Sequence, residues 1–306
     1  MGSAGGLIGS ARAAEIGREG AAHAATLAAR FDLQLSAALA GLLAGFTERD
    51  RGLVAETLHE VKRLLDRLNP GVVDLLFGGS VAKRTYVEGI SDVDCLLLFG
   101  DEAAHRAPSD LMREVAEALS GMPCEVRTGV MAITLRYMEG AEVQLLPAVR
   151  SGDARLLVAG GGGARWRDVG PQDFAGTLRE VDRRCGHKLV PVIKLTKAAL
   201  ASIHPDRRPS GHHVESLAVE AFRDYPGPMV TTSMLQWFLR RASTAVLRPV
   251  RDASGQTALV DAGLGPANGA ARRRLSREIE RLWHAMKIAS RDGSTAAWLA
   301  LFGNPT

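Results

Sequence analysis

Two aspartates separated by a single residue follow a glycine-rich corner within Phe77–Gly100, whose sequence is FGGSVAKRTYVEGISDVDCLLLFG. The apolar run after Asp94 predicts a strand, and residues i and i+2 of a strand project from one face. The carboxylates of Asp92 and Asp94 would then lie side by side, where their charges repel and are costly to bury without a cation. The pattern predicts a two-ion site for Mg²⁺ or Mn²⁺, which suits phosphoryl transfer. The alternative is that Ser91 and Asp92 cap a turn while Asp94 stays solvated.

The small residues ahead of the acidic pair predict a second part of the same site. Gly78, Gly79 and Ser80 follow a strand pattern, and backbone amides at the start of a helix point outward with partial positive charge. Because Gly79 has no side chain, a phosphate group can approach the backbone closely. Ser80 either binds a phosphate oxygen or caps the helix. Arg84 and Thr85 are candidates to line a nucleotide pocket, although Thr85 could equally satisfy backbone groups of the loop.

Further candidates lie in the second half of the chain. Lys194 and Lys197 are three residues apart in LVPVIKLTK, so their ammonium groups share one side of a helix and suit a triphosphate. For Lys194 a solvated rim position is an equal alternative. Ser210 and His213 begin the next helical pattern, whose N-terminus could meet the same phosphates. For His213 the alternative is an ordinary surface or interfacial histidine.

The N-terminal and central sequence shows which elements would position these residues. Residues 1–70 are rich in alanine and leucine at helical spacing, which predicts a helical layer that packs on both lobes. In residues 71–171, VVDLLF and VDCLLLF predict strands, DLMREVAEAL predicts a helix, and GVMAITLRY with EVQLLPAV predicts a hairpin. A loop is expected from Arg150 to Pro171, because AGGGGARW contains four glycines.

The C-terminal part of the sequence has a pattern that predicts helices. Five segments keep the helical period, from FAGTLREVDRRC to ARRRLSREIERLWHAMKIAS. Residues 172–306 are therefore expected to form a helical lobe. The arginine-rich start of the last segment suits an anionic ligand, or forms an ordinary solvated helix face.

Composition excludes several classes of protein. The chain has 306 residues, 46% of them hydrophobic, a formal charge of +4 and a sequence pI near 9.2. No run reaches the roughly 18 uncharged apolar residues of a membrane span. The charged N-terminal segment differs from a secretory signal. Cys95, Cys124 and Cys185 have no CxxC spacing, which argues against disulfides and zinc. We therefore expect a cytoplasmic protein without a membrane partner.

The quoted motifs resemble those of a known superfamily. GGSVAKRTYVEGISDVDCLLLF is similar to the nucleotidyltransferase signature of the DNA polymerase β-like superfamily. Thr85 and the SDVD spelling resemble more particularly the oligoadenylate synthetases, the cyclic GMP-AMP synthases and above all the bacterial CD-NTases of antiphage signalling. LLPAV, the tryptophan in ARWRDVGP, LVPVIKLTK, SGHHVES and VDAGLGPAN are similar to that group in kind and order. The resemblance spans roughly Val72 to Ala289.

This resemblance implies an α+β fold in which a polymerase β-like palm joins an oligoadenylate-synthetase-like helical lobe. It implies a metal-dependent enzyme that joins nucleoside triphosphates into a cyclic or linear oligonucleotide second messenger and releases pyrophosphate. Asp92 and Asp94 would bind two Mg²⁺ or Mn²⁺ ions, and Lys197 would contact the triphosphate. The implied partners are nucleoside triphosphates, a separate effector that responds to the product in CBASS defence, and a regulatory protein.

One position departs from the family's pattern. The family carries a third carboxylate on the strand before LPA, where this chain has Gln144. An amide oxygen can coordinate a metal but cannot act as a base. Glu142, two residues earlier, would share a face with Gln144 and is a candidate metal ligand. The chain is therefore a substituted natural enzyme, an engineered variant or an inactive homologue that only binds nucleotide.

Other reactions stay open at this point. A nucleotidyltransferase of the same superfamily could add nucleotides to RNA 3′ ends or modify a protein, as a toxin does. Gln144 alone suggests a nucleotide-binding homologue without catalysis. Base preference and linkage depend on pocket shape, which the sequence does not specify.

Overall fold

The computed structural model describes residues 5–48, 59–66, 71–87, 93–137, 142–151, 155–160, 163–169, 171–204, 207–253 and 258–303. Within them, the helices are α1 (Gly5–Glu48), α2 (59–66), α3 (Gly79–Ala82), α4 (Pro108–Leu119), α5 (Pro171–Arg184), α6 (Leu189–Leu200), α7 (Gly211–Ala221), α8 (Thr231–Ala245), α9 (Ala270–Arg291) and α10 (Thr295–Ala300). The strands are β1 (Val72–Phe77), β2 (Val93–Phe99), β3 (Glu125–Thr128), β4 (Ile133–Arg136), β5 (Glu142–Ser151), β6 (Arg155–Ala159) and β7 (Trp166–Val169).

The strands form one mixed sheet that builds the palm. Its order is β1-β2-β5-β4-β3, with β6 and β7 continuing from the far part of β5. The pair β2–β5 is parallel, whereas β1–β2, β3–β4, β4–β5, β5–β6 and β6–β7 are antiparallel. The predicted hairpin is confirmed as β4–β5. A parallel pair needs a crossover connection, and here the chain between β2 and β5 contains α4.

One local prediction was wrong. The segment 150–171 was expected to be a loop, but β6 and β7 lie within it. β6 pairs with the end of β5 from Ala148 to Ser151, and β7 pairs with β6. β6 has the sequence RLLVA, in which an arginine precedes four apolar residues without alternation. So short a run is a weak strand signal, and the neighbouring glycines favoured a loop.

Among the described residues, each lobe contains a large hydrophobic core, and a third, smaller cluster is formed by palm-strand residues such as Leu98, Ala148 and Val158. Helix α4 buries Leu111, Val115 and Leu119 in the palm core, as its amphipathic spacing predicts. The helical core is built mainly from α5 to α10. The N-terminal helices divide between the two cores: Leu35 of α1 lies in the helical core, and Val61 of α2 lies in the palm core.

Helix α1 contains an apolar stretch that was not identified as a membrane span from the sequence, because it includes charged residues. Ala25–Phe46 is long and apolar enough to cross a membrane by length and composition alone, although only 11% of its most apolar window is buried. Arg30 and Asp32 lie inside the stretch. Leu35 and Leu39 are buried against the helical lobe, and a helix that packs on a core passes the same test.

Candidate active site

The glycine corner lies directly against Asp94. The Gly78 amide donates to the Asp94 carbonyl at 2.8 Å, which joins the end of β1 to the start of β2. Gly79 has φ +48°, a left-handed conformation that glycine adopts without strain. A Cβ atom at Gly79 would lie 1.6 Å from Asp94 Oδ2. Only glycine therefore allows the carboxylate and the corner to occupy this arrangement.

Gln144 is the neighbour of Asp94 across the parallel strand pair. The register of β2 and β5 places Asp94 opposite Gln144 and Val93 opposite Val143. Paired positions of adjacent strands share a face, so the carboxylate and the amide face the same side of the sheet. The position that the resemblance assigns to a third carboxylate thus lies beside Asp94 in the fold, and it carries a neutral side chain.

Glu142 has a different partner. Its Oε1 accepts from Arg136 Nε at 2.5 Å across the β4–β5 pair, and the same oxygen is close to Arg136 Nη2. The Glu142 carboxylate is therefore neutralised by a guanidinium in this structure. Its assignment as a metal ligand stays a prediction, and metal binding would require it to leave or share that ion pair.

The donor atoms at this place suit a hard divalent cation. Asp94 offers carboxylate oxygens and Gln144 an amide oxygen, and Mg²⁺ prefers oxygen ligands. Asp92 lies outside the described residues. Within the described part of the chain no group of three or more His, Cys, Asp and Glu side chains could hold a metal ion. Among the described residues, Asp94 and Gln144 would therefore supply the oxygen ligands of the cation, and Asp92 is the predicted further ligand.

Ser80 presents a buried hydroxyl that has no partner among the described residues. The residue is 8% exposed, and its Oγ makes no hydrogen bond with any residue that the structure describes. Gly78 is the N-cap of α3 and Ser80 lies within the helix, so the alternative that Ser80 caps the helix is wrong. Buried hydroxyl groups usually have a partner. This Oγ, next to the glycine corner, fits an oxygen atom of a bound phosphate.

The loop after α3 is tied to the helical lobe by a buried charged cluster. Lys197 Nζ donates to the carbonyl of Thr85 and to Glu215 Oε1, both at 2.9 Å. Thr85 Oγ1 also donates to Glu215 Oε1. Burial lowers the pKa of Lys197, although Glu215 opposes this. Burial alone would raise the pKa of Glu215, but the nearby Lys197 charge, the His212 imidazole 3.8 Å from Glu215 Oε2 and the Lys83 charge bring that pKa well below its ordinary value.

Sequence reasoning missed Lys83 and Glu215. Lys83 Nζ forms an ion pair with Glu215 Oε2 and lies 5.3 Å from the centre of the Phe174 ring. The available signal was spacing, because Lys83 follows Ser80 by three residues and such pairs are neighbours on a helical turn. Glu215 belongs to the helix start SGHHVES, but its partners lie 18 and 130 residues away in sequence.

The other predicted nucleotide ligands lie in different surroundings. Arg84 is exposed and has φ +60°, a conformation uncommon for a side chain other than glycine. Lys194 is buried on α6. Ser210 is the N-cap of α7, where its Oγ accepts from the His213 amide at 3.1 Å. The Ser210 hydroxyl therefore already has a hydrogen-bond partner, the backbone amide of His213 in α7.

His213 is part of a cluster inside the helical lobe. Its Nε2 lies 3.5 Å from Asp261 Oδ2, and that oxygen accepts from Arg272 Nη1 at 2.6 Å. All three side chains are buried. Burial lowers the pKa of His213 to about 4, a shift that Asp261 opposes and that Arg272 and His212 reinforce. His213 is thus neutral at pH 7 in the folded chain and interacts with Asp261 rather than with the glycine corner.

His213 should make the folded chain acid-sensitive. Between its ordinary pKa of 6.5 and about 4, the unfolded chain binds a proton that the folded chain excludes, so the free energy of unfolding falls as pH falls. We expect a loss of order 3 kcal/mol across this window. Thermal unfolding from pH 7 to 4 checks it. His213→Gln should flatten the profile, whereas exposed His284→Gln should keep the wild-type slope; an unchanged slope in His213→Gln would contradict the assignment.

Comparison with known proteins identifies the fold. No family model matches the sequence, and no curated protein sequence matches it significantly. Among solved structures, CdnG from Bradyrhizobium diazoefficiens, a CD-NTase in complex with GTP, is similar with a TM-score of 0.66 and 17% identity over 88% of this chain and 95% of that one. CdnC from E. coli MS115-1 with ATP is similar with a TM-score of 0.57 and 16% identity over 89% and 97% of the two chains.

A third structure comes from Vibrio cholerae. It is the DncV cyclic AMP-GMP synthase in complex with the linear intermediate 5′-pppA(3′,5′)pG, with a TM-score of 0.59 and 14% identity over 76% of this chain and 68% of that one. The expected α+β architecture, a mixed-sheet palm with a helical lobe, is confirmed by these likenesses. At such low identity they establish the fold alone. This chain has the fold of the bacterial CD-NTases.

Proposed function

We propose that this chain is a metal-dependent nucleotidyltransferase that joins nucleoside triphosphates into a cyclic or linear oligonucleotide and releases pyrophosphate. The product would serve as a second messenger for a separate effector in CBASS-type antiphage defence. The proposal is supported by the shared fold with CdnG, CdnC and DncV, whose structures contain GTP, ATP and a linear dinucleotide intermediate, respectively.

The observation that carries the proposal is the contact between the glycine corner and Asp94. Gly79 leaves no room for a Cβ atom beside the carboxylate, and the unpartnered hydroxyl of Ser80 follows immediately. A phosphate-binding corner and an oxygen ligand set are thereby held next to each other. This arrangement is what phosphoryl transfer requires, because positioning and charge stabilisation provide most of its catalysis.

The chain's own residues have distinct parts in the reaction. Gly79 and Ser80 would hold the triphosphate, and Asp92, Asp94 and Gln144 would hold Mg²⁺. When bound, Mg²⁺ supplies charge neutralisation at the phosphate oxygens. The acceptor hydroxyl attacks the α-phosphorus, the new P–O bond forms and the bond to pyrophosphate breaks. Because an amide does not accept a proton, Gln144 cannot act as the base, and the hydroxyl proton passes to water.

The proposal is tested by incubating the chain with all four ribonucleoside triphosphates and Mg²⁺ or Mn²⁺. Mass spectrometry should detect cyclic or linear oligonucleotides, and a coupled assay should detect one pyrophosphate per bond. Labelled triphosphate incorporated into added tRNA or into protein, without free oligonucleotides, would contradict the second-messenger product.

Gln144 supports a second candidate, a homologue that binds nucleotide without turnover. Its neutral side chain stands directly opposite Asp94 in the sheet, so the metal site has one negative charge fewer than the family's pattern. Thermal stabilisation by ATP or GTP with no pyrophosphate release, even with Mn²⁺, would favour this candidate over an active enzyme.

Gln144→Asp is expected to raise turnover at least tenfold, which corresponds to about 1.4 kcal/mol of the activation barrier. The substitution restores a carboxylate beside Asp94 and with it a stronger metal ligand and a proton acceptor. Initial rates of pyrophosphate release measure the effect. Gln172→Asp, outside the palm sheet, is the control and should leave the rate unchanged. No gain from Gln144→Asp would indicate that this position does not limit the reaction.

A further inference from the structure

The helical lobe carries the excess positive charge of the chain. Residues 172–306 contain 20 Lys and Arg against 12 Asp and Glu, a formal charge of +8, whereas residues 1–171 contain 18 against 22, a formal charge of −4. A charge divided so unevenly favours an acidic partner for the helical lobe. Part of this excess lies on the outer face of α8 and on the neighbouring part of α9.

The outer face of α8 is basic. At helical spacing it presents Trp237, Arg240, Arg241, Thr244 and Ala245, and Arg248 follows in the turn after the helix. The three arginines are exposed, and the sequence of α8 contains no acidic residue. This face therefore attracts oxyanions.

Indole rings support two of these guanidinium groups. Arg241 lies 5.6 Å from the centre of the Trp237 ring, and Arg240 lies 5.7 Å from that of Trp283 on α9. Lys287 Nζ is 5.0 Å from the same Trp283 ring. A guanidinium group that rests on an aromatic ring loses little side-chain entropy when its N–H groups bind a carboxylate or a phosphate. The basic face is thus pre-organised for such a ligand.

The α7–α8 groove lies beside this basic face. It has a volume of about 870 Å³ and separates the end of α7 from the outer face of α8. Its apolar lining residues are Leu217, Ala221, Trp237, Ala242, Ala245 and Leu247, and its charged lining residues are Glu220, Arg240, Arg241 and Arg248. Glu220 already pairs with Arg223 at 3.1 Å. The groove therefore joins an apolar lining to a positively charged rim.

This combination of features distinguishes between the possible occupants. Single-stranded nucleic acid requires aromatic faces on which its bases stack, but a cation already lies over each of the rings of Trp237 and Trp283. A duplex binds through its phosphates and leaves an apolar lining in water. In a two-fold dimer this face would meet its own copy, and like charges would repel.

An amphipathic helix with acidic flanks matches both parts of the lining. Its apolar side would pack against residues such as Leu217 and Leu247, while its carboxylates would meet the arginines. Arg241 and Arg248 are seven residues apart, roughly two helical turns or about 10 Å. Acidic residues seven positions apart on a partner helix have the same spacing.

We propose that the α7–α8 groove binds an acidic amphipathic helix of a partner protein. Apolar packing in the groove would supply affinity, and the arginines would select acidic partners and fix the position of the helix. The groove contains none of the candidate active-site residues. The inference therefore goes beyond the proposed function and does not depend on it.

The proposal is tested by selecting peptides on the full chain. The probe is a displayed library of helical peptides of about 18 residues, with Leu, Ile or Val at heptad positions a and d and all other positions randomised. Selected peptides are synthesised, and their Kd values are measured by fluorescence anisotropy. The variants are Arg241→Glu, Arg248→Glu and Ala245→Gln, all at exposed positions. Arg113→Glu, on the exposed side of α4 in the palm, is the matched control.

The selected peptides should be enriched in Asp and Glu. Arg241→Glu and Arg248→Glu should each weaken binding at least about tenfold, because the reversed charge repels the peptide carboxylates. A peptide with Lys in place of the facing Glu should recover affinity for Arg241→Glu. Ala245→Gln should weaken binding at least about fivefold, because its longer polar side chain fills part of the groove. Arg113→Glu should change Kd less than about twofold, and thermal unfolding checks that every variant is folded.

The other outcomes would overturn the proposal. Failure to select any peptide, peptides without acidic enrichment, or equal binding to wild type and Arg241→Glu would each contradict it. Duplex DNA or RNA of about 20 base pairs that binds more tightly than every peptide, and loses affinity in Arg241→Glu but not in Ala245→Gln, would assign the surface to nucleic acid. A dimer in light scattering that Arg241→Glu dissociates would assign it to a second copy. No measurement uses a nucleoside triphosphate, so a chain that releases no pyrophosphate contradicts only the proposed function.

Discussion

Asp94→Asn is expected to lower metal-dependent nucleotide incorporation at least about a thousandfold, equivalent to roughly 4 kcal/mol of transition-state stabilisation. Asparagine keeps the shape that fits against Gly79 but removes the negative charge that attracts the cation. With Gln144 already neutral beside it, the variant would leave Asp92 and Glu142 as the remaining carboxylates of the predicted set, and Glu142 is already paired with Arg136.

Two measurements check this prediction. Pyrophosphate release is followed across a Mg²⁺ titration in the wild-type chain and in the Gln144→Asp background, so that a slow wild-type enzyme does not hide the effect. Mn²⁺ binding, followed by electron paramagnetic resonance, should weaken at least about tenfold in Asp94→Asn. Asp101→Asn, on an exposed residue just beyond β2, should change neither quantity. Wild-type Mn²⁺ affinity in Asp94→Asn would show that the carboxylate is no ligand.

Gly79→Ala is expected to reduce turnover at least about a hundredfold. Its Cβ atom would lie 1.6 Å from Asp94 Oδ2 and 2.4 Å from Asp94 Cγ, so the carboxylate must leave its position, and a small displacement of a catalytic group costs about this much. The left-handed backbone at φ +48° adds a cost of about 1 kcal/mol for alanine. We therefore expect a larger loss in rate than in stability.

Gly41→Ala is the matched control for this substitution. Gly41 lies inside α1, and a Cβ atom there would meet nothing within 4 Å. Alanine should leave turnover unchanged and hold or raise Tm, since glycine is a poor residue for a helix interior. Initial rates and thermal unfolding of the three proteins provide the comparison. A Gly79→Ala enzyme with near wild-type turnover would show that the close contact with Asp94 is not needed for the reaction.

The local elements follow directly from sequence patterns. Helix α4 and the C-terminal helices have a helical period of apolar residues, and β1, β2 and the β4–β5 hairpin are short apolar or alternating runs that end at glycine or a turn. The strands β6 and β7 were missed because β6 takes its backbone hydrogen bonds from β5, and β7 in turn takes its own from β6. A partner that lies elsewhere in the chain leaves little trace in a five-residue segment.

The sequence by itself determined the nature of the candidate site, because the chemistry of glycine, serine and carboxylate side chains at close spacing is local. It brought together Gly79, Ser80 and Asp94 as parts of one motif. Tertiary structure decided which distant groups join them. The parallel register of β2 and β5 sets Gln144 opposite Asp94, and burial of Glu215 decides how Lys83 and Lys197 share one carboxylate. The first choice depends on strand pairing within the palm sheet, and the second depends on desolvation where the helical lobe packs against the Thr85 loop; both exist only in the folded chain.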